Sequence, residues 1–101
     1  MTAIVDTGPL VALLDAREPH HAWARETLGT LEPPLQTCEA VLSEACFLLR
    51  RVRGGRNAAL SLVSQGVVAL DFQLAPELEA VRKLMAKYVS VPMALADACL
   101  V

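Results

Sequence analysis

Asp6, Glu44 and Asp97 are three carboxylates far apart in the chain, each set in an apolar segment. Asp6 follows the β-branched run Thr2 to Val5, and in open α/β sheets ligands bind at the carboxyl ends of strands. A helix cap or Asx-type turn ahead of Pro9 explains the same residue equally well. Glu44 lies at the margin of the apolar stripe formed by Val41, Ala45 and Leu48. Its ordinary role there is a rim carboxylate paired with Arg51 or Arg50. Asp97 is the single charge between Val91 and Val101. A lone buried carboxylate costs several kcal/mol unless a cation or hydrogen-bond donors meet it, although an N-cap of a short terminal helix is the alternative. Three such acids suit a hard cation: magnesium takes oxygen ligands and keeps waters for the substrate. One or two such ions can activate water and stabilise the leaving oxygen in phosphodiester cleavage.

Other chemistries find less support. No Ser-His-Asp set stands out, and there is no phosphate-binding glycine loop. His20 and His21 are adjacent, point apart on a helix, and read as surface residues. Arg50, Arg51, Arg53 and Arg56 hold four of the nine basic residues and flank Gly54-Gly55. They can answer a helix dipole at its C-terminus or contact RNA phosphates.

The elements that must position these groups alternate between strand and helix. Thr2 to Val5 reads as a strand and Asp6-Thr7-Gly8 as a turn. Pro9 suits the first position of a helix running to about Asp15. A second helix is expected from His20 to Leu31 and a strand over Leu35 to Cys38. The clearest helix spans Glu39 to Arg53, stopped by Gly54-Gly55. Asn57 can cap a helix from Ala58 to Gln65. Val67 to Phe72 reads as a strand, and Pro76 to Tyr88 as a helix with Leu78, Val81, Met85 and Tyr88 on one face. Pro92 opens a last helix still running at Val101. This alternation predicts a parallel sheet covered by helices. The chain reads as a single domain, 1–101, incomplete at its C-terminus, with a further element expected to cover Leu100 and Val101.

With 101 residues, 54% hydrophobic and 4% aromatic, the core must be built from Leu, Val and Ala. The net charge of −2 places any nucleic-acid contact on local charge. The odd set Cys38, Cys46 and Cys99 has no metal-finger spacing and suggests small buried thiols in a reducing compartment. No signal peptide and no membrane-length apolar run appear, so a soluble cytoplasmic protein is expected.

Three motifs, in order, resemble the PIN domain and, within it, the VapC-type toxins. Ile4-Val5-Asp6-Thr7-Gly8-Pro9-Leu10 is similar to the family's first motif, Val41-Leu42-Ser43-Glu44-Ala45 to the second, and Leu95-Ala96-Asp97-Ala98-Cys99-Leu100-Val101 to the third. The resemblance implies a three-layer α/β/α sandwich and a metal-dependent endoribonuclease, a homodimer held in check by a cognate antitoxin. It also implies that Asp6, Glu44 and Asp97 are catalytic and hold Mg2+, or Mn2+, with Thr7 in support. Family members usually continue into another strand and helix that bring a further acid. Their third motif often reads Met-Asp-Leu-Ala-Asp where this chain has Met93-Ala94-Leu95-Ala96-Asp97. Both departures remove negative charge. Two competing readings are a non-catalytic PIN-like binding protein and a retroviral-type aspartic protease. Ile4-Val5-Asp6-Thr7-Gly8 suits the protease, but its fold is nearly all β.

Overall fold

The computed structural model describes residues 3–87 and 99–100. The described elements run α1 (Thr7–Leu14), α2 (His21–Gly29), β1 (Leu35–Gln36), α3 (Glu39–Leu48), α4 (Gly55–Ser64), β2 (Val68–Ala69) and α5 (Leu74–Lys87). β1 pairs with β2 in parallel, and on its other side Ile4 forms a parallel bridge to Gln36. Parallel alignment needs crossover connections, and α1–α2 and α3–α4 supply them. A retroviral-type protease is therefore the wrong architecture. The aligned segments are shorter than the sequence suggests. Val5 donates to the Gln36 carbonyl at 2.9 Å and Gln36 to that of Ala3 at 2.7 Å, while Leu35 and Thr37 donate to Val67 and Ala69 at 2.8 and 3.0 Å. The middle segment is further tied by the buried Thr37 hydroxyl, which donates to the Val5 carbonyl at 2.8 Å.

Val5, Leu10, Leu35, Cys38, Val41, Ala45, Val68 and Cys99 form one buried cluster between sheet and helices. Fully burying a side chain the size of Val41 contributes roughly 1.5–3 kcal/mol. Among the described residues it is wholly aliphatic or thiol, with Phe72 packed against its margin, in keeping with the composition.

Several boundaries differ from expectation for identifiable reasons. Thr7 and Gly8 are not a turn but the first turn of α1, and Pro9 stands third in that helix, where a missing N–H still costs no hydrogen bond. α2 is shorter than His20 to Leu31, beginning at His21 and ending at Gly29. The Glu39 to Arg53 helix ends at Leu48. Beyond it, Arg50 donates to the Phe47 carbonyl, Val52 to Leu49 and Gly55 to Val52, a chain of tight turns that carries Leu49 into full burial while Leu48 stays 48% exposed. Asn57 does not cap α4; Gly54, with φ of 72°, precedes a helix that already includes Gly55. Tight packing explains Gly55: a Cβ there would lie 2.9 Å from the Val52 Cβ and 3.0 Å from the Leu49 carbonyl oxygen. α5 starts two residues before Pro76. Its Val81 is buried and Leu78 is 51% exposed. The expectations for Tyr88, for the helix from Pro92, for Asp97 and for Val101 fall outside the described residues, within which Cys99 and Leu100 are helical.

Candidate active site

Val5 brings its strand segment to the carboxyl edge of the sheet, and the chain turns there at Asp6. Asp6 adopts an extended conformation as N-cap of α1, its Oδ1 accepting the Thr7 backbone N–H at 2.6 Å. The cap is therefore real, and it also fixes the carboxylate at the sheet edge. Thr7 is buried to 6% exposure, and its hydroxyl donates to Glu44 Oε2 at 3.1 Å across 37 residues of sequence. α1 packs directly on α3, which aligns the two. Thr7 thus joins the first acid, by its backbone, to the second, by its side chain. Asp6 and Glu44 are both solvent-exposed, and Glu44 bonds to Thr7 rather than to Arg50 or Arg51.

Of the third motif, Cys99 and Leu100 are described. Cys99 packs in the cluster that contains Val5 and Leu10 of the first motif and Val41 and Ala45 of the second. Asp97, two positions earlier, lies outside the described residues. Among the described residues no set of three His, Cys, Asp or Glu ligands gathers. Two exposed carboxylates linked through one threonine are nonetheless the donor type a hard cation takes, and Asp6 Oδ2 and Glu44 Oε1 are left for it. The residues present fit a magnesium or manganese ion.

The Arg50–Arg56 segment divides. Arg50 is held locally, donating to the Phe47 carbonyl at 2.8 Å with its guanidinium 4.0 Å from the Phe47 ring centre. Arg51, Arg53 and Arg56 are exposed. Of the two histidines, His20 is exposed and His21 is not a free surface residue: its Nδ1 sits 2.7 Å from the Ala12 carbonyl, fastening α2 to α1. Cys38 and Cys99 are buried and Cys46 is half-buried, all as free thiols. Burial pushes the Cys99 thiol up, and Cys38 beside it pushes the same way. These two thiols serve the core, not nucleophilic chemistry.

Two features escaped sequence reasoning. The Thr37 clamp had no signal beyond a hydroxyl beside an apolar run. A cleft of about 500 Å³ borders Cys38, Glu39, Phe72, Leu74 and Cys99 next to the carboxyl edge. Its walls come from three segments far apart in the chain, 38–40, 72–76 and Cys99, so no local pattern could reveal it.

A chain that places acids at the carboxyl edge of a small parallel sheet covered by helices has a known family counterpart. Residues 3–101 match the PIN domain family, and the chain belongs to it. The class of the fold is therefore the α/β PIN-like sandwich. Among solved structures, it is similar to Mycobacterium tuberculosis VapC20, a toxin that cleaves the sarcin-ricin loop: TM-score 0.83, 25% sequence identity, covering 97% of this chain and 77% of that one. This likeness is to the VapC type of PIN domain. No curated protein sequence matches the chain significantly.

Proposed function

We propose that the chain is a metal-dependent endoribonuclease, the toxin of a toxin–antitoxin pair, which hydrolyses RNA phosphodiester bonds. The observation that carries this reading is the Thr7 hydroxyl bond to Glu44, which ties the first two acidic motifs together at the carboxyl edge of the sheet. Likeness to a toxin that cleaves the sarcin-ricin loop supports the substrate class. Asp6, Glu44 and Asp97 hold Mg2+ or Mn2+. Bound there, the ion supplies a nucleophilic water at neutral pH and offsets charge on the leaving oxygen. Thr7 fixes the Glu44 carboxylate by its hydroxyl and the Asp6 carboxylate by its N–H, so both are oriented before substrate arrives. Arg51, Arg53 and Arg56 hold RNA phosphates, offsetting the repulsion between an acidic site and a polyanion.

The protein works in the cytoplasm as a homodimer, and a cognate antitoxin restrains it. No described helix is long and apolar enough to cross a membrane. The exposed side chains of Phe47 and Leu48 on α3 and Leu60 on α4 support an apolar contact between copies.

Purified protein incubated with a sarcin-ricin-loop RNA and millimolar Mg2+ or Mn2+ should cut it, and a chelator should stop the cut. Asp6→Asn, Glu44→Gln and Asp97→Asn should each lower the rate at least a hundredfold while leaving RNA binding equal or tighter. Arg51→Ala, Arg53→Ala and Arg56→Ala together should weaken binding and flatten its salt dependence, because fewer counterions are released. Cleavage that persists in the acid variants, or in excess chelator, rejects the assignment.

A further inference from the structure

Where α1, the α1–α2 connection and α2 meet lies a hollow of about 240 Å³. Gly8, Pro9 and Ala12 of α1 form its floor, Glu18 and His20 its polar rim, and Trp23 of α2 its wall. The wall is rigidly placed. Ala24, next in sequence, is wholly buried, and the His21 ring is fastened to the Ala12 carbonyl at 2.7 Å. With α2 anchored by those two neighbours, Trp23 is left on the rim, 55% exposed. It is the chain's one tryptophan. Leaving so large an apolar ring in water forfeits burial energy that any core position would recover.

The chemistry of the hollow selects its ligand. A flat aromatic wall over a floor of small residues accepts a planar ring. The floor is open above Gly8, where a Cβ would meet nothing within 4 Å. Among the lining residues there is no lysine or arginine, and Glu18 is acidic, so a phosphate is disfavoured. A carboxylate accepts hydrogen bonds, which suits a ring edge bearing amino groups. Gly8 directly follows Thr7, the residue that holds both Asp6 and Glu44. An RNA strand whose phosphate reaches the acids would bring a base toward Gly8 and this hollow.

We propose that this hollow is a nucleobase subsite, in which an unpaired base near the scissile phosphate stacks on Trp23 with its amino edge toward Glu18. The proposal rests on the ribonuclease reading above and names what sets the site's preference. Unpaired bases are required because only splayed bases offer a free face to an aromatic side chain. Stacking tolerates any base, and Glu18 adds a preference for the amino-bearing cytosine, adenine or guanine over uracil.

The single tryptophan makes the test direct. In excess chelator, which prevents cleavage, short single-stranded cytidine and uridine oligonucleotides are titrated into the full chain. Trp23 emission is excited at the red edge to avoid RNA absorption. Binding is followed in parallel by anisotropy of labelled RNA. Expected are saturable quenching with the same midpoint as the anisotropy curve, and tighter binding of the cytidine oligomer. Trp23→Ala should weaken binding roughly 5- to 150-fold, the range that loss of one stacked base produces, and Trp23→Phe should recover most of it. Glu18→Gln should keep the quenching and lose the preference over uridine. RNA that binds by anisotropy without moving Trp23 emission, and equally well to the alanine variant, overturns the subsite while leaving the nuclease reading intact. An emission change caused by a protein antitoxin and not by RNA also overturns it. Absence of both RNA binding and metal-dependent cleavage overturns both readings together.

Discussion

At the scale of single residues, Thr7 carries more of the site than its type announces. Its backbone N–H holds Asp6 and its hydroxyl holds Glu44, so one small buried residue links the N-cap acid of α1 to an acid of α3. Replacing Thr7 with Val keeps the shape and removes the donor. The fold should lose only about 0.5–1.5 kcal/mol, the net value of one hydrogen bond, because Glu44 is exposed and water can replace the hydroxyl. Metal affinity and cleavage should fall about 10- to 100-fold, as when a ligand loses its supporting partner, and Thr7→Ser should restore most of both. A Thr7→Val protein with unchanged metal affinity and rate would reduce the hydroxyl to packing. Asp6 was legible in the sequence as the end of an apolar strand, with a helix cap and a site residue equally open. Glu44 was ambiguous, since periodicity places it at the rim of α3 but cannot say which element faces that rim.

At the scale of elements, the junction of α3 and α4 is where local pattern failed. The periodic apolar positions continue to Val52 and suggest one long helix, yet Leu49, not Leu48, is the residue that enters the core. The chain breaks α3 after Leu48 and restarts at Gly55, and the close approach of Gly55 to Val52 and Leu49 makes the sharp reversal possible. Gly55→Ala should therefore destabilise the protein by about 1–3 kcal/mol, the usual cost of overpacking. Gly29→Ala, at the end of α2 with open space around it, should be nearly neutral. Urea unfolding of the two variants decides this; equal midpoints would mean the junction relaxes freely. The same reversal separates the arginines into Arg50, bound to Phe47, and the exposed Arg51, Arg53 and Arg56. Sequence proximity alone had treated them as one cluster.

For the molecule as a whole, the fold ties Asp6 and Glu44 to one residue, Thr7. Carboxylates brought together at one edge repel, and a cation that binds the folded state and not the unfolded chain stabilises it. Magnesium or manganese at a hundred times its dissociation constant should add about 2.7 kcal/mol, read as a rise of several degrees in Tm. The rise should vanish in an Asp6→Asn, Glu44→Gln double variant; a rise of the same size there would locate the cation elsewhere. The sequence by itself determined the alternation of strand and helix, the aliphatic core and the order of three acidic motifs, because each is written in local periodicity and residue type. Only the tertiary structure decided that Thr7 spans to Glu44, that Cys99 joins the core with both earlier motifs, and that Trp23 lines a hollow with Gly8 and Pro9. These depend on the angle at which α1 meets α2 and α3, and that angle is set by burial summed over distant side chains, which no window of neighbouring residues contains.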